Sequence, residues 1–130
     1  MIERVTHRWR RELAEQEAAV TAGTLSADDA YALTSFPPAF VAAVDSALQA
    51  YEDEIASLDR PTDDAVWPTV ERVVVALNGV DAAFGQHIET MTREDLSEYI
   101  EQVLAGAGID VEALLERRGV EEAAGEWRDW

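Results

Sequence analysis

The sequence predicts an all-α fold, a single-domain helical bundle of three to four long helices plus two or three short ones. Apolar residues recur at intervals of three and four along most of the chain, and no stretch alternates convincingly as a strand. Glycines, prolines and capping residues separate these periodic segments, which marks where helices start and stop. A length of 130 residues with 48% hydrophobic residues is typical of one folded domain and not of a disordered chain.

The first half of the chain contains two long amphipathic stripes with a short segment between them. The first stripe consists of Ile2, Val5, Trp9, Leu13, Gln16 and Val20. Gly23 is a natural stop for it, and Ser26 is positioned to cap a short helix through Leu33. Pro37 and Pro38 then break the chain before the next helix. The second stripe consists of Phe40, Val44, Leu48, Tyr51, Ile55 and Leu58.

The second half predicts a third long helix, a fourth and a short last one. The third stripe consists of Val66, Val70, Val73, Leu77, Val80 and Phe84. Pro68 fits a first helical turn, and the stripe favours a helix that continues through Gly79 over one that stops there. Thr92 with Asp95 forms a capping pair for the fourth helix, and Asp110 caps a short helix over residues 111–118. The polar loop at residues 59–64 would leave two halves of about 60 residues, each marginal alone, so one core over residues 1–130 is expected.

The charge balance limits the kinds of partner. The chain carries 27 acidic and 10 basic residues, all of the latter arginine, for a formal net charge of −17. Such a charge repels nucleic acid and anionic membranes, so neither is an expected partner. The acidity serves either a basic partner or the solubility of a salt-adapted organism. The basic start of the chain consists of Arg4, Arg8, Arg10 and Arg11, which we expect to be solvated, with docking onto the acidic body or a partner as the alternatives.

No targeting or membrane segment is visible, so a cytoplasmic location is expected. The basic start runs into acidic residues instead of an apolar signal core. The longest uninterrupted apolar run covers only residues 39–44, far short of a membrane span.

Catalytic constellations are missing from the sequence. The absence of cysteine removes thiol catalysis and thiolate metal sites. His7 and His87 lack the glutamate three residues earlier that a di-iron bundle requires, and His87 is best explained as a loop residue or a helix cap. The expectation is therefore a protein that is not an enzyme and that needs no metal and no other cofactor.

Carboxylate clusters remain as candidates for function. Glu94, Glu98 and Glu101 fall within about 60° on one helix face. A second acidic stretch surrounds the polar loop and consists of Glu52, Asp53, Glu54, Asp59, Asp63 and Asp64. These groups could hold a hard cation, act as general acids or bases, attract a basic protein, or simply be solvated. Attraction of a basic protein is the favoured function, because carboxylates without converging His, Ser or Lys do little chemistry alone.

Two tryptophans near the end of the sequence suggest a contact role. Trp127 and Trp130 are three residues apart and would share a face if this tail is helical. Tryptophan is enriched in interface hot spots, but it also pins a tail onto a core. Pinning is favoured for Trp127, whereas for Trp130 pinning and contact are equally open, with a partner or a second copy of the chain as the contacted molecule.

The C-terminal half resembles a group of known proteins. Residues 77–90, 93–96 and 126–130 resemble small acidic helical proteins of unknown function from actinobacteria, some of which look like immunity proteins of bacterial toxin systems. This resemblance implies an inhibitor or partner protein and transfers no functional residue.

The leading hypothesis is a protein-binding module whose acidic helical face binds a basic protein, with a toxic enzyme as one such partner. The predicted contact residues are Glu52, Asp53, Asp63, Asp64, Glu94, Glu98, Glu101 and Trp130. A ligand-binding or metal-binding bundle with a carboxylate site, and a homo-oligomeric structural protein, are the alternatives.

Overall fold

Six α-helices and one 3₁₀ turn form the regular structure of residues 3–130, the part of the chain that this computed structural model describes. The helices are α1 (Val5–Ala22), α2 (Tyr31–Ser35), α3 (Pro38–Ala56), α4 (Asp63–Ala83), α5 (Thr90–Gly106) and α6 (Val111–Arg118), and the 3₁₀ turn covers Ala27–Asp29. Four of these helices are long, two are short, and no strand occurs within residues 3–130. The all-α prediction is therefore confirmed.

Several helices begin or end at the residues that the glycines and capping residues of the sequence predict. Gly23 follows α1 with a φ of 77°, a left-handed conformation that glycine adopts without a steric penalty. The side chain of Asp110 accepts a hydrogen bond from the Ala113 N–H at 3.2 Å and caps α6. Gly79 lies inside α4, so the prediction that this helix tolerates it is confirmed.

Two predicted helix starts are wrong, and the C-terminal tail is not helical. Helix α4 begins at Asp63, which places Pro68 in the second turn instead of the first. Helix α5 begins at Thr90, and the Thr92 hydroxyl accepts from the Glu89 N–H at 2.9 Å from within the first turn. Trp127 and Trp130 therefore do not share a helix face. Ile2, the first member of the α1 stripe, lies outside the described residues.

The apolar faces of all four long helices meet in one core. Helices α3 and α4 pack most extensively against each other, with α1 and α5 completing the bundle. The Trp9 ring is fully buried and stacks on Phe36 at a centroid distance of 5.1 Å. The Tyr51 hydroxyl donates to the Ile100 carbonyl at 2.8 Å, which ties α3 to α5 inside the core. This single core supports the surface described below.

Asn78 fastens the tail to the outer side of α4. Its amide donates to the Trp127 carbonyl at 2.8 Å, and its Oδ1 accepts from the Asp129 N–H at 2.9 Å. The tail therefore crosses α4 at a fixed register and brings Trp127 next to the helix.

Each helix within residues 3–130 is too short or too polar to cross a bilayer.

Candidate partner-binding surface

The basic start of the chain docks onto the acidic body. Arg4 contacts Asp45 at 3.1 Å and Glu52 at 2.7 Å, and its side chain is only 17% exposed. Arg8 forms a 2.7 Å ion pair with Asp95 of α5. The expectation of solvated arginines is therefore wrong for Arg4, which docks onto the body, whereas the side chains of Arg8, Arg10 and Arg11 stay 46–57% exposed as expected.

Glu52 is held inside that contact. Its carboxylate accepts from Arg4 Nε at 2.7 Å and from the Tyr99 hydroxyl at 3.0 Å. Burial and the adjoining Glu52 carboxylate raise the pKa of Tyr99 well above its ordinary value, so the hydroxyl stays a donor. Glu52 thus has its hydrogen bonds satisfied within the chain.

The carboxylates of the acidic stretch around the polar loop differ in whether they have an ion-pair partner. Asp63 receives two hydrogen bonds from Arg117, both of 2.8 Å, which lower the pKa of that carboxyl. Asp53 and Asp64 are exposed, and neither has an ion-pair partner between Glu3 and Trp130. The predicted cluster therefore contains both a carboxylate that is neutralised by an arginine, Asp63, and carboxylates that are free, Asp53 and Asp64.

On α5, the predicted face divides into two environments. Glu94 and Glu98 are exposed, and Glu98 accepts from the Gln102 amide at 3.1 Å. Glu101 is partly buried under the tail, where it accepts from the Ala123 N–H at 3.2 Å. Burial raises the pKa of Glu101, although the hydrogen bond from Ala123 opposes this change. Glu94 and Glu98 remain the members of this face that are open to a partner.

Trp130 is only 7% exposed and belongs to the core cluster. The Arg128 guanidinium lies 5.5 Å from its ring centroid and covers it further. Trp130 therefore offers little surface to a partner. It packs into the core and pins the tail there, which is the alternative role at this position.

Internal ion pairs use most of the positive charge. Within residues 3–130, eight of the ten arginines pair with carboxylates of the same chain. The arginines left over are Arg60 and Arg93, whereas exposed carboxylates remain on α1, α3, α4, α5 and α6. The surface therefore carries the net negative charge without a compensating basic patch on these helices.

An aromatic cleft next to the acidic loop was not found from the sequence. The rings of Trp67 and Trp127 lie 6.0 Å apart, and the Arg118 guanidinium lies 4.5 Å and 5.3 Å from their respective centroids. Glu126 holds Arg118 there with hydrogen bonds of 2.7 and 3.2 Å. Of these two tryptophans the sequence singles out only Trp127, and the tail's path across α4 brings it next to Trp67.

A wider cleft of about 770 Å³ lies between α1, α3 and α5. Ile55, Ala56 and Val103 form part of its apolar wall. Its polar side carries Arg4 and Glu52, which neutralise each other. This cleft is suited to a mostly apolar molecule more than to an ion.

No three His, Asp or Glu side chains in the described part of the chain converge into a group that could hold a metal ion. His87 lies in the loop between α4 and α5, where its Nε2 contacts the Ser35 carbonyl at 2.9 Å.

Comparison of the chain with protein-family models, with curated proteins and with solved structures gives no match. The resemblance to immunity-like proteins therefore stays a prediction.

Proposed function

We propose that this chain is a protein-binding module that binds a basic protein through its negative surface. The observation that carries the proposal is the internal use of the arginines, which leaves exposed carboxylates such as Asp53, Asp64, Glu94 and Glu98 without an ion-pair partner in the described part of the chain. A cytoplasmic location, which we also propose, would place this module among intracellular proteins.

Negative potential favours such a partner in two ways. It steers a basic protein toward the surface over distances comparable with the Debye length, which raises the association rate. It also rejects acidic proteins and nucleic acids, because like charges would have to be desolvated against each other. Rigid helices then present the carboxylates at fixed positions.

The proposal is tested by affinity capture from a lysate of the organism that encodes the chain. Capture is compared at about 10 mM and about 150 mM salt, where the Debye length is about 30 Å and about 8 Å. We expect a protein of basic isoelectric point that binds at low salt and weakens at high salt. Capture of no basic protein at low salt, or binding that salt leaves unchanged, would contradict the proposal.

Charge variants separate a defined face from overall charge. Glu94→Gln with Glu98→Gln removes two free carboxylates of α5. The matched control, Glu15→Gln with Glu17→Gln, removes two exposed carboxylates of α1 and changes the net charge equally. If α5 contributes to the contact, the first variant weakens binding to the captured protein more than the control does. Equal weakening would show that only net charge matters.

Inhibition of a toxic enzyme is the narrower form of this proposal, supported only by the resemblance. In that form the acidic face covers a basic active site. An inhibition assay with the captured protein tests it, and an enzyme that stays fully active in the complex would exclude it. Assembly of the chain with copies of itself is a separate alternative.

The wide cleft favours a second candidate function, the binding of a small, mostly apolar molecule. Its volume of about 770 Å³ lies within the range of ligand pockets, and its apolar wall suits such a molecule. Ala56 is exposed and lines the cleft, so Ala56→Trp would occupy part of it and narrow its apolar wall. A hydrophobic fluorescent dye that raises the melting temperature of the wild type but not of this variant would support the candidate. No stabilisation of the wild type would exclude it for that class of ligand.

A further inference from the structure

We infer that the wide cleft between α1, α3 and α5 binds an uncharged amphipathic molecule, with an apolar chain and a neutral oxygen head group as in a long-chain alcohol. This inference deepens the second candidate function and rests on it, because it names the ligand class of the same cleft. Three features carry it: an apolar floor that stays open, a polar end with spare hydrogen-bond donors, and a charge balance at that end which disfavours an ionic head group.

The cleft lies where the last turns of α3 and α5 run past the first turn of α1. Its lining residues on the α1 side are Glu3, Arg4 and His7, whereas those on α3 and α5 belong to the C-terminal halves of these helices. Farther along, α1 packs against α3 and α5, with Val5 and Trp9 buried in the core. The cleft is therefore a part of the α3–α5 surface that the described part of α1 leaves uncovered.

The floor of the cleft is apolar and open. Ile55 and Val103 line it and keep 6% and 8% of their surface exposed. Ala56, Gly106 and Ala107 also line it, with side chains too small to fill it. A Cβ built on Gly106 would meet no neighbouring atom within 4 Å, so the space above this residue is empty of protein. Such a floor provides apolar contact without being filled by the chain itself.

The dimensions of the cleft fit a linear chain. Its volume of about 770 Å³ lies within the range of small-molecule pockets. Along α5 it extends from Tyr99 to Ala107, which at the helical rise per residue is about 12 Å. A medium-length alkyl chain has a comparable extended length, so it can lie along the floor with its head group beside Tyr99.

The polar end of the cleft offers hydrogen bonds that the chain does not use. A guanidinium has five N–H donors. Within residues 3–130, Arg4 donates two hydrogen bonds to Glu52 and one to Asp45, so two donors remain for a molecule in the cleft. The Arg4 side chain lines the cleft and is 17% exposed there. A head-group oxygen beside Arg4 would accept from these donors.

An ionic head group of either sign would disturb the charge balance at that end. Arg4 is balanced by Glu52 and Asp45, and Asp45 also lies 3.6 Å from Arg10. A carboxylate head group would meet Glu3 and Glu52, whereas an ammonium head group would meet Arg4. A neutral oxygen accepts from Arg4 and brings no further charge into a partly desolvated place. The balance therefore favours an uncharged head group.

The test uses the full chain and three probes that share one alkyl chain, namely 1-decanol, decanoate and decylammonium. Each probe is titrated below its micelle concentration at about 150 mM salt, where a Debye length of about 8 Å limits unspecific attraction of the cation to the acidic surface. Methyl NMR monitors Ile55 and Val103 in the cleft, with the fully buried Val74 of α4 as the reference. We expect 1-decanol to shift both cleft signals and to leave Val74 in place, and the charged probes to bind at least about tenfold more weakly.

Two matched glycine variants locate the site. Gly106→Leu adds a side chain to the lining of the cleft, and Gly79→Leu adds the same side chain on α4, where an added Cβ also meets no neighbouring atom within 4 Å. Both glycines are helical and exposed, and leucine has the higher helix propensity, so both variants should fold. Gly106→Leu should weaken 1-decanol binding by at least about tenfold, and Gly79→Leu should leave it unchanged.

Three results would each overturn the inference. They are unshifted Ile55 and Val103 signals with 1-decanol, an affinity for either charged probe that equals or exceeds that for 1-decanol, and equal weakening in the two glycine variants.

The dye experiment keeps this inference separate from the function on which it rests. If the hydrophobic dye stabilises the wild type but 1-decanol does not bind, the cleft remains a small-molecule site and the ligand class is wrong. Absence of both effects removes the candidate function together with the ligand class. Binding of 1-decanol without any basic protein captured would support the inference and contradict the proposed protein-binding function.

Discussion

Replacement of Asn78 by alanine tests how the tail builds the aromatic cleft. The variant loses two hydrogen bonds, from the Asn78 amide to the Trp127 carbonyl and from the Asp129 N–H to Asn78 Oδ1. A typical hydrogen bond contributes about 1 kcal/mol net, so the loss is about 2 kcal/mol. An unfolding entropy of about 2.1 cal/mol/K per residue converts this into a fall in melting temperature of about 7 °C for a chain of this length.

Thermal unfolding followed by far-ultraviolet circular dichroism measures the global effect, and amide hydrogen exchange measures the local one. We expect faster exchange in residues 123–130, because the tail loses its attachment to α4. Gln102→Ala is the control, since Gln102 is exposed and its one side-chain hydrogen bond within residues 3–130 goes to Glu98. A melting temperature that falls no further than in this control, with unchanged exchange in the tail, would refute the assigned role of Asn78.

Three further predictions concern stability. Burial opposes ionisation of Asp45, but hydrogen bonds from Thr6 and Arg4 lower the pKa of its carboxyl. The ionised carboxylate therefore stabilises the fold above about pH 4, and this stabilisation is lost as the pH falls through the folded-state pKa. Asp45→Asn should therefore cost about 1–3 kcal/mol at neutral pH in denaturant titrations and nothing in strong acid; a pH-independent cost would contradict this. The pKa of Glu101 is raised, so the pH dependence of its effect on stability has the opposite sign. Its stabilising contribution is present in acid and is lost as the pH rises through the folded-state pKa. Glu101→Gln should therefore raise the melting temperature at neutral pH but not in acid. Gly79→Ala should stabilise the fold by about 0.4–1 kcal/mol, because Gly79 is helical and an added Cβ would meet no neighbouring atom within 4 Å. Gly23→Ala should destabilise the fold, because Gly23 has a φ of 77°. Calorimetry that ranks the two variants the other way would refute the reasoning.

The fold follows from local signals that the sequence displays. The stripe of α3 is buried as its spacing predicts, with Phe40, Val44 and Leu48 all fully inaccessible. The two wrong helix starts share a cause. Pro68 and Thr92 are each compatible with several positions in the first turns, and the preceding chain decides which one they occupy.

The candidate site was predictable only where a residue's role depends on its own helix. The exposed positions of Glu94 and Glu98 follow from helical spacing. The partners of Glu52 and Asp63 do not, because Arg4 is 48 and Arg117 is 54 residues away from them. Such ion pairs depend on how the helices pack, and the spacing of charges along the chain contains no information about that packing.

Asn78 illustrates the same limit. Next to Gly79 it is a local signal for a possible helix stop, yet the helix continues and its side chain binds the tail instead. Trp67 and Trp127 come together only through this long-range contact. The aromatic cleft was therefore invisible to any pattern confined to neighbouring residues.

The most direct test of the central proposal, that this chain acts through shape and negative potential, is the association rate with the captured basic protein as a function of salt. Stopped-flow tryptophan fluorescence measures this rate from about 10 mM to about 150 mM salt, over which the Debye length falls from about 30 Å to about 8 Å. The account predicts a steep fall in the association rate with rising salt, and a slower rate for Glu94→Gln with Glu98→Gln than for its matched control. An association rate that is independent of salt, and equal in both variants, would contradict it.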